Sequence, residues 1–351
     1  MSVSARAECA LAGMERRNEL TRTRTLTGAL AAFALLLLAS TSSHAQTPAP
    51  EKQSQPGAQT VLLNVIVTDS KGHAVADAKR EDLRLYVDGV EQPITYFSNE
   101  ARPASYGLVV DNSGSLRDQI KYVATAAKII VNSNTAEDEA FVVRFVSADN
   151  IKLMQEVTAD KAALFKALDA MYVEGGQTAV IDAVYLSANN LLNKGKPAGD
   201  KPRRHALVLI SDGEDRASYY KIDDLFKLLR KSDIQIFCIG LTASLDKERG
   251  FTTQSTREKA TDLLKRLASA TGGRVFFAEK VGELKDAIAE VINDLHTQYV
   301  VGYVPAATAG GGSNHKVEIR MVDAPGRRKL KTFTRPEMTL NAEGDAAGQK
   351  K

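Results

Sequence analysis

SYGLVVDNSGSL, Ser105 to Leu116, decides how the rest of the chain reads. Its first half is a continuous apolar run, the pattern of a strand covered on both faces. Its second half sets one carboxylate and two hydroxyls, Asp111, Ser113 and Ser115, on alternating positions. RDQIKYVATAAKIIVNS then reads as a helix. A strand that runs into an oxygen-rich loop and on into a helix is one βα unit.

The unit repeats downstream. EAFVVRFV, IKLMQEV, HALVLIS, IQIFCIGL and RVFFA read as strands. DKAALFKALDAM, AVIDAVYLSANNLL, IDDLFKLLRKS, REKATDLLKRLASATGG and VGELKDAIAEVINDLH read as helices, the fourth closed by glycines. This alternation predicts an α/β domain over residues 101–297, with a doubly wound, mostly parallel sheet between helices.

On both sides of that domain the pattern is β. Residues 60–100 hold VLLNVIV, LRLYV and ITYF, with turn signals DSKG and VDGV. Residues 298–338 hold QYVVGYV, KVEIRMV and KLKTFT. Neither set is large enough to bury a core alone. They are expected to pair into one small β-sandwich-like module with the α/β domain inserted between its halves; the alternative is two separate β extensions. AATAGGGSNH reads as a hairpin, not a phosphate loop, because it lacks the G-K-[ST] ending and a following helix. Residues 339–351 read as a disordered polar tail.

Residues 1–45 read as a signal peptide. Arg16, Arg17, Arg22 and Arg24 precede LTGALAAFALLLLA, an apolar run short for a membrane span, and Ser43-His44-Ala45 offers a cleavage site near Ala45. A retained anchor is the alternative, and Met14 competes with Met1 as the start. QTPAPEKQSQPGAQ, residues 46–59, reads as a flexible linker. The mature chain is then exported, periplasmic or extracellular, with no membrane insertion of its own. It keeps one cysteine, Cys238, inside an apolar strand, where it serves as a small buried hydrophobe. Without the first 45 residues the chain has 41 basic and 40 acidic residues and no basic stripe with interleaved aromatics, which argues against a nucleic-acid partner.

Loops at the carboxyl ends of parallel strands form the binding crevice of such a sheet. Three carry oxygen donors: Asp111, Ser113 and Ser115 in the first, Thr178 after Gly175 and Gly176 in the second, and Asp212 in SDGED in the third. Two carboxylates and three hydroxyls, with no sulfur or imidazole, suit a hard divalent cation, Mg2+, Mn2+ or Ca2+, and not zinc. The plainer reading, that Asp111 and Ser113 only cap the next helix, leaves Thr178 and Asp212 unexplained.

DNSGS, GGQT and ISDGED together resemble the metal-ion-dependent adhesion site (MIDAS) of von Willebrand factor A (VWA) domains, whose motif is Asp-x-Ser-x-Ser with a Thr and an Asp in separate loops. The flanking segments resemble those of bacterial exported proteins that carry this domain. The resemblance implies that Asp111, Ser113, Ser115, Thr178 and Asp212 are metal ligands, some through water. It also implies a protein partner whose Asp or Glu carboxylate completes the coordination, an adhesion-like role and no enzymatic activity. Asn112 departs from the small residue often found there, at a position that is not a ligand. Asp182, one helical turn after Thr178, is either an outer-shell group or a helix-surface residue. Glu214 and Asp215 read as a solvated rim, with an outer-shell role as the alternative.

Two rivals stand beside this reading. In one the metal only stabilises the loops and the β module binds partners. In the other the site is a metal-dependent hydrolase, which would need a general base. His205 falls at the far end of its strand, His296 ends the last helix, and His73 and His315 fall in the β module. There is no HExxH and no G-x-S-x-G elbow.

Overall fold

The computed structural model describes residues 60–194, 202–248, 254–305, 313–325 and 329–340. The expected signal peptide and linker, residues 306–312 of the glycine-rich loop and the tail from residue 341 lie outside them. All described residues belong to one compact unit.

The chain opens with β1 (Val61–Thr68), β2 (Leu83–Val87), β3 (Val90–Gln92) and β4 (Tyr96–Ser98). Asp88 and Gly89, both with positive φ, make the tight turn between β2 and β3. The α/β alternation follows as β5 (Ala104–Asp111), α1 (Ile120–Asn132), β6 (Glu139–Phe145), β7 (Ile151–Thr158), α2 (Lys161–Asp169) and α3 (Val180–Lys194). It continues with β8 (Arg204–Ser211), α4 (Ile222–Arg230), β9 (Gln235–Gly240), α5 (Thr256–Thr271), β10 (Val275–Phe277) and α6 (Val281–His296). The chain then returns to strands with β11 (Tyr299–Tyr303), β12 (Asn314–Met321), β13 (Lys331–Phe333) and β14 (Glu337–Thr339).

The central sheet has the order β10-β9-β8-β5-β6-β7, parallel except for the antiparallel edge strand β7. Strands β5 and β9 are buried along their whole length and β8 at every residue but His205, as their apolar runs require. Helices α1, α2 and α6 bury one stripe on one face of the sheet, and α3, α4 and α5 on the other. On α1 the stripe is Val123, Ala126, Ala127, Ile130 and Val131, a spacing of three and four residues. A Ser255–Glu258 capping box starts α5, and left-handed Gly272 ends it.

From β5 the chain proceeds outward through β6 and β7, and from β8 outward the other way through β9 and β10. The helices that follow β5 and β8 therefore leave on opposite faces. Between the carboxyl ends of these two strands lies the crevice of a topological switch point.

The flanking strands pair across the insertion. β1 pairs with β11, and β2 with β12, both antiparallel. Two four-stranded sheets result, β13-β1-β11-β4 and β14-β12-β2-β3. They share a core of Val61, Leu63, Leu83, Leu85, Tyr299, Val301, Val317, Ile319 and Met338. This is the expected sandwich. The hairpin expected at AATAGGGSNH does not form, because β11 and β12 enter different sheets. Each finds its partner in the N-terminal segment. Leu340, just beyond β14, is buried in the same core.

Gly107 marks a close approach within the central sheet. A Cβ there would lie 2.3 Å from the Phe141 ring and 2.8 Å from a Leu207 methyl. Gly107→Ala is expected to cost about 1–3 kcal/mol of stability through overpacking. Urea denaturation should show a lower midpoint, partly restored when Phe141→Leu is added; a wild-type midpoint would contradict this packing.

Candidate metal centre

Asp111 is the last residue of β5, and Asp212 follows the last residue of β8. The switch point thus carries a carboxylate on each side, and both are fully buried. After Asn112, Ser113 leads in extended backbone into a short 3-10 turn, Gly114–Leu116, and α1 begins only at Ile120. The turn brings the Ser113 and Ser115 hydroxyls within 2.9 Å of each other. The Ser113 N–H donates to Asp111 Oδ1 at 2.9 Å.

Ser211 ties the two strand ends together. Its hydroxyl donates to Asp111 Oδ2 at 2.6 Å and accepts the Gly213 N–H at 2.9 Å. Gly213 has φ +78°, and a Cβ there would meet Leu264 at 2.7 Å, so glycine lets this loop turn tightly against α5. Asp212 Oδ1 accepts the Glu214 N–H at 3.0 Å, while Asp212 Oδ2 is buried with no hydrogen-bond partner.

Thr178 is buried two residues before α3. Its carbonyl accepts the Arg216 and Ala217 N–H groups at 2.8 and 3.2 Å, which joins its loop to the Asp212 loop. Gly176 passes so close to β6 that a Cβ would meet Val146 at 2.7 Å. Asn112 links this loop to the first: its side chain donates to the Tyr172 carbonyl at 2.8 Å, and its own carbonyl accepts the Glu174 N–H at 3.0 Å. Glu174 is in turn held by the buried Arg144 at 2.7 Å, which also stacks over Tyr172.

The electrostatics are unfavourable for bare anions. Burial raises the pKa of Asp111, and the charge of Asp212 raises it further, against the pull of Ser211 and Ser113. Burial also raises that of Asp212, against the Ser115 hydroxyl and the Glu214 N–H. Both shifts have the sign expected when two carboxylates share a desolvated site.

Among the described residues no group of three or more His, Cys, Asp or Glu is placed to hold a metal ion. A cation here would therefore depend on hydroxyl oxygens beside the two carboxylates. The donor set fits a hard divalent cation: oxygen only, two negative charges, and one buried carboxylate oxygen without a partner. A surface depression of about 540 Å³ lies instead against α5, lined by Lys247, Ser255, Arg257 and Glu258. Coordination chemistry, not volume, singles out the switch-point loops.

The imidazoles of the described residues lie elsewhere. His205 pairs with Asp233 at the start of β8, His73 with Glu290, and His315 with Asp88. His296 ends α6. Cys238 is buried with its thiol held well above its ordinary pKa by burial, which keeps it protonated.

Three expectations change. Asp182 is buried, not on the helix surface, and its oxygens accept the Tyr219 and Tyr220 N–H groups at 2.8 Å each. Asp215 is not a solvated rim: it accepts the Ile181 N–H at 3.1 Å and the Ser218 hydroxyl. Glu214 is largely covered and pairs with Arg216 at 2.7 Å. Ser211 escaped sequence reading altogether; the only signal for it was a hydroxyl directly preceding Asp212.

A family model for the von Willebrand factor type A domain matches residues 107–290. No curated protein matches the chain. Among solved structures, BatB from Bacteroides thetaiotaomicron is similar at 15% identity and TM-score 0.42, over 54% of this chain and 98% of that one. A von Willebrand factor type A protein from Catenulispora acidiphila is similar at 13% identity and TM-score 0.43, over 82% of this chain and 76% of that one. Manganese-loaded TRAP protein from Plasmodium vivax is similar at 14% identity and TM-score 0.39, over 68% of this chain and 96% of that one.

The raised carboxylate pKa values fix the sign of a pH dependence. Between the ordinary carboxylate range and neutrality the folded state binds more protons than the unfolded state, so stability falls as pH rises. Asp294, pushed up to about 7 by burial, acts in the same direction. Metal-free protein should therefore lose stability from pH 4.5 to 7.5 (roughly the window between those values), and Asp111→Asn should flatten the part due to this site. Thermal melts of both proteins in chelator across that range test it; parallel profiles would contradict the assignment.

Proposed function

Because the chain belongs to the von Willebrand factor type A domain family, we propose that it is an exported, non-enzymatic binding protein that holds a partner's carboxylate through a divalent cation. Members of this family are generally interaction modules, commonly with a metal-dependent site. The observation that carries the reading here is the pair of buried carboxylates, Asp111 and Asp212, with a facing hydroxyl pair and an unpartnered Asp212 Oδ2.

Asp111 and Asp212 would offset the charge of the ion, and Ser113, Ser115 and Thr178 would supply neutral oxygens. Mg2+ is the expected occupant, with Mn2+ or Ca2+ as the hard alternatives. When bound, the cation offers an open coordination position to an anionic oxygen. Ser211 and the Ser113 and Glu214 N–H groups hold the two carboxylates in place. Their hydrogen bonds restrict the side chains before any ligand arrives, which lowers the ordering cost of binding. A partner Asp or Glu placed in such a site makes a charge-assisted, desolvated contact that can anchor an interface.

Export belongs to the same proposal. It is supported by the arginines and short apolar run of the N-terminal segment. Among the described residues no helix is long and apolar enough to cross a membrane. The β module positions the binding domain.

Calorimetric titration with Mg2+ should give saturable heat with the mature chain and none with Asp111→Ala, while circular dichroism shows the variant folded. Cation at a hundredfold excess over Kd should stabilise the wild type by about 2.7 kcal/mol. Undiminished heat with the variant would overturn the ligand assignment. In a pull-down of the mature chain, chelator should abolish partner capture. Capture that survives chelation, with only a lower Tm, would favour the reading in which the metal stabilises loops alone.

A further inference from the structure

The cation reading leaves unexplained two carboxylates beside the site, Asp182 on α3 and Asp215 in the loop after Asp212. They are bonded reciprocally. Asp182 Oδ2 accepts the Tyr219 N–H and Oδ1 accepts the Tyr220 N–H, each at 2.8 Å. Asp215 Oδ1 accepts the Ile181 N–H at 3.1 Å and the Ser218 hydroxyl at 2.6 Å. The Ser218 hydroxyl also accepts the Asp182 N–H at 3.3 Å. Two of the orphan N–H groups at the start of α3 are thus satisfied by the opposite loop. The helix, through Asp182, satisfies two N–H groups of that loop in return. Tyr185 on α3 and Tyr220 on the loop stack at 4.0 Å and close the arrangement.

We propose that Asp182 and Asp215 form a clasp that sets the Asp212 loop against the Thr178 segment, and that they act on the cation as positioning residues, not as ligands. Both oxygens of Asp182 are turned toward the backbone N–H groups of the opposite loop, which is what makes it a positioning residue in this reading. The leverage is short. Asp212 lies three residues before Asp215, and Thr178 three before Ile181, spans of at most about 11 Å each. Fixing Asp215 on Ile181 therefore bounds the separation of the two donor residues. The Thr178 carbonyl, accepting the Arg216 and Ala217 N–H groups, joins the same two segments between the clasp and the donors. The inference rests on the cation reading for its consequence, but the clasp itself stands on the hydrogen bonds alone.

The bonding pattern separates the two carboxylates by a test that a general loss of packing would not pass. Asp182 uses both oxygens, so Asp182→Asn turns one acceptor into a donor facing an N–H. Asp215 uses a single oxygen for both bonds, so Asp215→Asn keeps them, while Asp215→Ala loses them. The readouts are amide hydrogen exchange of the metal-free protein and Mn2+ titration, with exchange in β5 and β8 as the control for folding. Asp182→Asn and Asp215→Ala should speed exchange at Ile181, Tyr219, Tyr220 and Glu214. They should weaken Mn2+ binding by about ten- to a hundredfold, the range for loss of an outer-shell partner. Asp215→Asn should match the wild type in both. Wild-type Mn2+ affinity in Asp182→Asn, or equal damage from Asp215→Asn and Asp215→Ala, would overturn the proposal. If the wild type itself binds no Mn2+, the cation reading fails separately. The exchange data then decide the clasp, and unchanged protection at Glu214 in Asp215→Ala overturns it.

Discussion

The structure turns on the placement of two carboxylates that would repel each other if nothing intervened. Asp111 and Asp212 are buried at the ends of adjacent parallel strands; burial raises the cost of ionising each, and the charge of Asp212 raises it further for Asp111. A chain that needed only a stable sheet would not set two acids there, since buried like charges are destabilising. The sheet topology explains why they meet. Strands β5 and β8 are neighbours although about a hundred residues apart, because the chain winds outward from this seam in both directions. The seam is the place where helices diverge and loop donors face an open crevice.

What surrounds the pair holds it without neutralising it. Ser211 bridges to Asp111, and backbone N–H groups point at one oxygen of each acid. Asn112, with Arg144 and Glu174, ties the first loop to the second. The Thr178 carbonyl ties the second to the third. Among the described residues the nearby basic side chains are engaged by other carboxylates: Arg216, whose charge also lowers the pKa of Asp212, pairs with Glu214, and Arg144 with Glu174. These loops are therefore arranged around a position for positive charge that their own side chains do not fill.

Away from the site, arginines join the β module to the α/β layer. Arg335, from the strand-end segment before β14, is buried and donates to the Ser232 and Ile234 carbonyls. Arg204 donates to the Leu295 and Gln298 carbonyls at 3.0 and 3.1 Å, where α6 hands over to β11. Arg274 pairs with Asp294 at 2.8 Å and lies between the Phe276 and Phe333 rings. Guanidinium groups suit this task because they donate in several directions and stack on aromatic faces. These contacts gather at the amino-terminal ends of the strands, opposite the oxygen-rich loops.

The parts legible in the sequence were those with a period or a spacing. Unbroken apolar runs gave β5, β8 and β9, and the three- and four-residue stripe gave α1. The flanking β segments were expected to pair because neither could bury a core alone, and β1 with β11 and β2 with β12 do so. What stayed hidden depends on contacts that no local pattern encodes. Ser211 became visible only when strand ends met in space, and the bonding of Asp215 only when its loop met the start of α3. The loop before β12 looked like a hairpin because turn composition does not say which sheet a strand will join. The most direct measurement of the central claim is anomalous diffraction from crystals grown with Mn2+. The account expects one strong peak within bonding distance of a carboxylate oxygen of Asp111 or Asp212 and of the Ser113 and Ser115 hydroxyls. A well-diffracting crystal with the three loops ordered and no peak between them would contradict it.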